Sequence, residues 1–153
     1  MLLPIILKGG PFVPSSWQRV EQMIRMAHLT PKDTVIDLGS GDGRILMAAL
    51  RAGAKKATGY EIHRGLVSFT RWMANRKKLQ DRLTVHCRSF WKADISEGDV
   101  IFLYQLPLAM KLLEEKIKKE AKPGTRIISN GFIFPNWTPE KQEGGTYLYL
   151  VPK

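Results

Sequence analysis

The stretch Val35-Ile36-Asp37-Leu38-Gly39-Ser40-Gly41-Asp42-Gly43-Arg44 constrains this chain more than any other. An apolar, β-branched run enters a turn with glycine at every second position, and a helical pattern follows at once. Such glycines remove the Cβ atoms that would block a bulky ligand, and they permit positive φ. A dinucleotide-binding turn reads G-x-G-x-x-G and needs glycine at position 44, where this chain has Arg44. The pattern D-x-G-x-G-x-G therefore disfavours a nicotinamide-dependent oxidoreductase. It reads as a cofactor loop of another kind, or else as a purely structural βα turn.

With 153 residues the chain is long enough for one domain with a real core. Residues 1–10 read as a flexible arm and 11–153 as a single domain. Its 44% hydrophobic and 25% charged residues are ordinary for a globular protein. The single cysteine, Cys87, allows no internal disulfide and suits a reducing compartment, the cytoplasm. His28, His63 and His86 lack the close spacing of a zinc site, so no metal is expected. No apolar run reaches the about 20 residues that a bilayer span needs. The formal net charge of +10 biases the chain toward acidic partners: an acidic protein, an anionic membrane or nucleic acid. It lies in short runs such as Arg76-Lys77-Lys78, each of which is also what a solvated helix face looks like.

Strand and helix patterns alternate along the chain. Ser15 or Ser16 can cap a helix whose apolar positions are Trp17, Val20, Ile24 and Ala27. Strands are expected at 34–38, 57–62, 83–87, 99–104 and 125–130, with helices over 43–51, 64–79 and 108–121 between them. The helix over 64–79 is expected to turn Leu66, Phe69 and Met73 to the core. An aromatic and proline-rich stretch fills 132–139, and a last strand over 146–151 lies at a sheet edge. This α/β alternation implies a Rossmann-like sheet with right-handed crossovers and helices on both faces. It is mostly parallel with an antiparallel last strand, and its length allows fewer than seven strands.

Ligands of such sheets sit beyond the carboxyl ends of the strands, where strand order reverses. Glu61 ends the second strand about 20 residues beyond the glycine loop, where a carboxylate accepts hydrogen bonds from both hydroxyls of a ribose. A surface strand-end residue is the other reading, and the spacing favours the ribose. Ser89, Phe90 and Trp91 follow the third strand and can flank an adenine, although both rings also suit a core. Tyr104 and Gln105 end the fourth strand as polar groups near a reacting centre, with packing as the other role for Tyr104. The Asn/Asp-Pro-Pro-Tyr/Phe motif of amino-methylating nucleic-acid enzymes is absent there.

Four stretches now carry a resemblance: Gly10-Pro11-Phe12-Val13-Pro14, Asp37 through Ile45, Gly59-Tyr60-Glu61, and Phe132-Ile133-Phe134-Pro135-Asn136-Trp137-Thr138-Pro139. The chain resembles the seven-β-strand (class I) lysine methyltransferases of the adenine nucleotide translocase and the ATP synthase c-subunit, with their prokaryotic relatives. The resemblance implies S-adenosylmethionine (SAM) as cofactor and methylation of a lysine ε-amine in a protein. It gives the cofactor roles to Asp37, Gly39, Gly41 and Glu61, with the entry segment of Phe12 over the pocket; the loop residues Ser40, Asp42 and Gly43 and the strand-end residues Ser89, Phe90, Trp91 and Tyr104 complete the expected cofactor contacts. Tyr104, Phe132 and Trp137 become walls of the substrate channel, where transfer occurs. Lysine must react as the neutral amine, from a free pKa of about 10.4. An apolar aromatic pocket and a neighbouring sulfonium both disfavour the ammonium. The other readings are a SAM-dependent RNA or DNA methyltransferase, suggested by the charge, and a SAM-binding module without turnover.

Overall fold

The computed structural model describes residues 13–153; the expected arm and Phe12 lie outside the described residues. Ser16 caps α1 (Trp17–Ala27), its hydroxyl accepting from the Arg19 backbone N–H at 3.2 Å. β1 (Thr34–Leu38) runs through the glycine turn into α2 (Arg44–Arg51). β2 (Lys56–Glu61), α3 (Arg64–Arg76) and β3 (Leu83–Cys87) follow, then a single 3-10 turn at Phe90–Lys92. β4 (Val100–Leu103), α4 (Pro107–Glu120) and β5 (Arg126–Asn130) complete the alternation. β6 (Lys141–Glu143) and β7 (Thr146–Leu150) form a hairpin at the end.

The strands make one sheet in the order β3-β2-β1-β4-β5-β7-β6. β1 to β5 are parallel, as helical crossovers require, and β7 is antiparallel to both of its neighbours. Alternate residues face opposite sides. Ile36, Leu38, Ile101 and Leu103 pack under Met110, Leu113 and Ile117 of α4, whereas Val35, Val100 and Phe102 pack with α1, α2 and Ala74 of α3. Strand order reverses between β1 and β4, so a crevice opens above their carboxyl ends.

Two expectations about the sheet change. The described residues form seven strands, and β7 lies inside the sheet with β6 as the edge. Lys-Gln-Glu at 141–143 is exposed throughout, so no hydrophobic alternation announced β6. The inward stripe of α3 is also rotated. Val67, Thr70 and Ala74 are its buried residues, while Phe69 is 45% exposed. Thr70 is tolerated inside because its hydroxyl donates to the Leu66 carbonyl at 2.9 Å. Its methyl fills the place of a Cβ at Gly43, which would stand 2.6 Å away. On α1, Met23 and Met26 join Val20 and Ala27 inside, and Trp17 stays outside beneath the Arg44 guanidinium, 4.8 Å from its ring centre.

Candidate functional site

A cleft sits at the point of strand reversal, with about 550 Å³ of empty space that includes part of the open mouth. The glycine loop forms its floor. The Gly39 and Ser40 N–H groups both donate to the Tyr60 carbonyl, at 2.9 and 3.0 Å. Glu61 fixes the far side: Oε1 accepts from the Gly41 N–H at 2.8 Å, and Oε2 accepts from the His63 N–H at 3.0 Å. Each oxygen keeps a lone pair for a further donor. Gln105 lies over the loop, donating to the Leu38 carbonyl at 3.1 Å. A Cβ on Gly39 would meet its Nε2 at 2.8 Å, and the φ of +92° there is a backbone conformation that favours glycine.

The cleft is acidic inside a basic protein. Asp37 is 3% exposed, and its carboxyl takes part in no hydrogen bond among the described residues. Burial, then the negative charges of Glu61 and Asp42, push its carboxyl well above the ordinary carboxylate range. Burial also acts to raise Asp42, but hydrogen bonds and charge from Arg44 outweigh it and hold that carboxyl low. Ser40 Oγ is buried beside Gly59 without a partner.

Arg44 did more than exclude a dinucleotide. Its guanidinium clasps Asp42 at 2.6 Å and donates to the Ser15 carbonyl at 2.7 Å. The Ser15 hydroxyl accepts from Asn130 Nδ2 of β5 at 2.9 Å, and Arg19 donates to Asn130 Oδ1 at 2.7 Å. This network draws Val13, Pro14 and Ser15 over the cleft, which they help to line. The proline-flanked motif pointed to this segment. The hold of Arg44 and Asn130 on Ser15 carried no signal, because Ser15 is distant from both in sequence.

A second cavity adjoins the first, walled by Val13, Tyr104, Gln105, Leu106 and Phe132. Tyr104 lines both, and its ring stacks on Phe132 with centres 6.3 Å apart. The segment bearing Phe132 is held firmly. Ser129 Oγ donates to the Phe132 carbonyl at 2.6 Å, and the Phe134 N–H donates to the Tyr149 hydroxyl at 3.0 Å. Further along, the Asn136 N–H donates to Glu114 at 2.8 Å, and Lys118 donates to the Asn136 carbonyl at 3.2 Å.

The cleft thus gathers Asp37, Gly39, Ser40, Gly41, Asp42, Glu61 and Tyr104, with Phe132 next door. Gly43 faces Thr70 instead, and Phe12 lies outside the described residues. Trp137, expected at the channel, packs on Phe134 and Tyr149 beneath Lys118, because those rings offer it a larger apolar surface. Phe90 is 2% exposed in the core on the α4 side, with Trp91 against it, and Ser89 caps their 3-10 turn. None of the three lines the cleft.

Among the described residues, no group of acids, histidines and cysteine is placed to hold a metal, and no helix is long and apolar enough to cross a membrane. The chain is 33% identical to a protein-lysine N-methyltransferase of Saccharolobus islandicus, over 92% of this chain and 93% of that protein. It is 34% identical to the lysine N-methyltransferase of the ATP synthase c-subunit from Rattus norvegicus over 88% of its length, but spans only 61% of that relative. A crystal structure of an RNA methyltransferase from Salinibacter ruber, in complex with S-adenosyl-L-homocysteine, superposes with a TM-score of 0.87. That protein is 34% identical, with 92% of this chain and 95% of that one covered. Residues 37–141 match the family model described as the ANTKMT methyltransferase domain. The glycine loop, the paired strand-end carboxylates and the aromatic wall all fall within that match, and the chain belongs to this methyltransferase family.

Proposed function

We propose that this chain transfers a methyl group from SAM to a lysine ε-amine of a protein. The observation that carries the reading is an anionic cleft beside an aromatic one. Asp37, Glu61 and Asp42 gather on one side of Tyr104, while Phe132 and Leu106 lie on the other. A pyrophosphate would meet carboxylates here, whereas a cofactor with an ammonium and a sulfonium meets opposite charge. Bound there, SAM supplies an electrophilic methyl group.

This chain's residues do the rest. Glu61 would accept hydrogen bonds from the ribose diol with its remaining lone pairs. Asp37 would supply negative charge for the cofactor's ammonium. Tyr104 and Phe132 form a wall that disfavours a lysine ammonium and so lowers its pKa. Their faces also suit the methylated, still cationic product. Transfer from a bound donor is governed by positioning, and no side-chain base is needed. The substrate is read as a protein with an accessible lysine and an acidic surface, met in the cytoplasm.

Radiolabelled SAM and a proteome extract test this: label is expected in a protein band at a lysine found by mass spectrometry. Calorimetry should show SAM binding abolished in Glu61→Ala, and undiminished binding would sink the site assignment. A second reading, methylation of RNA, is favoured by the +10 charge and the Salinibacter ruber relative. It predicts label removed by nuclease and not by protease.

A further inference from the structure

We propose that the outward face of α3 docks on an anionic lipid bilayer, an interaction separate from the methyl-transfer site. The helix buries Val67 and Ala74 but departs from the usual arrangement elsewhere. A threonine, Thr70, is buried within it, while Phe69 and Trp72 stand outside at 45% and 53% exposure. The two rings are neighbours, with centres 6.0 Å apart, and the Arg76 guanidinium lies 5.2 Å from the centre of the Trp72 ring. Over 64–80 the sequence has five cations, Arg64, Arg71, Arg76, Lys77 and Lys78, and no acid; the next is Asp81. None of the five makes an ion pair among the described residues. Arg71 turns its guanidinium aside to the Val85 carbonyl of β3 at 2.9 Å, so the uncompensated charge beside the exposed aromatic pair is that of Arg76, Lys77 and Lys78.

Lipid phosphates complement the cations, and tryptophan and phenylalanine favour the boundary between headgroups and acyl chains. Single-stranded nucleic acid is the other anionic candidate, but it favours a groove with open ring faces for base stacking. α3 is a convex rod, and Arg76 already covers one face of Trp72.

Co-sedimentation of the full chain with vesicles of phosphatidylcholine alone, or mixed with phosphatidylglycerol, tests the docking. Binding is expected only with phosphatidylglycerol at low salt. Replacing Arg76, Lys77 and Lys78 by alanine should weaken partitioning roughly fivefold per cation removed. Phe69→Ser with Trp72→Ser should weaken it about tenfold. Unchanged thermal melting and SAM affinity would show that both variants are folded. The proposal is overturned if the wild type stays in the supernatant with phosphatidylglycerol at low salt, or if the aromatic variant binds as well as the wild type. Capture of single-stranded RNA by this face without vesicle binding would overturn it as well.

Discussion

Asp37 serves two opposed requirements. It is buried beside two other carboxyls, its own carboxyl making no hydrogen bond among the described residues, and that suits a cation better than it suits the ligand-free fold. Its carboxyl holds a proton more readily in the folded state than in the unfolded chain. Its contribution to stability is therefore complete at low pH and is lost as pH rises through the raised pKa. Asp37→Asn keeps the shape and removes the charge. Ligand-free Asp37→Asn should melt higher than the wild type at neutral pH, by about 2–4 °C for each kcal/mol recovered. The gap should close as pH falls toward the ordinary value of 3.8. The same variant should lose SAM affinity, giving opposite outcomes in a melt and a titration. A variant that melts lower at neutral pH would refute this account of Asp37. Arg44→Ala should act differently, freeing the Ser15 carbonyl and Asp42 together. SAM would then dissociate faster in stopped flow, with the core unchanged.

The segment from Gly131 to Trp137 carries no regular secondary structure, yet it is pinned along its length. Glu114 is the buried anchor, at 4% exposure, and its two oxygens serve Asn136 and Lys118. Glu114→Ala leaves the Asn136 N–H without its acceptor and should cost about 1–3 kcal/mol in chemical denaturation. Because Phe132 then loosens, KM for the protein substrate should rise while SAM affinity holds; Glu114→Gln, which still accepts, should recover most of both. Sequence made this segment visible through its prolines and rings, but not its fastening, since Glu114 reads as one more charge on an amphipathic helix. Elements with strong periodicity were legible. β1 and β4, apolar and buried on both faces, were evident to within a residue or two. The three-residue β6 was not, because its backbone pairing with β7 alone defines it. In the site, the glycine loop and Glu61 were legible because one is local and the other stands at a fixed remove. Phe90 was ambiguous, and Trp137 was assigned to the channel, because an aromatic residue serves a core or a ligand equally well, and neighbours far along the chain decide. The same gap explains α3: amphipathic spacing fitted two rotations, and the Thr70 contact with Gly43 selected the one that leaves Phe69 and Trp72 outside.

At the scale of the molecule, a chain of net charge +10 holds three carboxyls together at the bottom of its cleft. Under the proposed function, the exterior would attract an acidic protein over roughly a Debye length, about 10 Å at 0.1 M salt. The interior would then receive a single lysine. For an acidic substrate, kcat/KM should fall as salt is raised, with kcat little changed, because salt weakens encounter and leaves the buried chemistry alone. A salt-independent kcat/KM would remove charge from the account of substrate choice. The same distribution of charge bears on the enzyme's dealings with its own kind. Two copies carry the same sign over their exteriors, so each tends to stay out of reach of the other's lysines. The protein would in this sense be insulated from itself: labelling of one copy by another is expected to be slow at low ionic strength and to increase as salt is added.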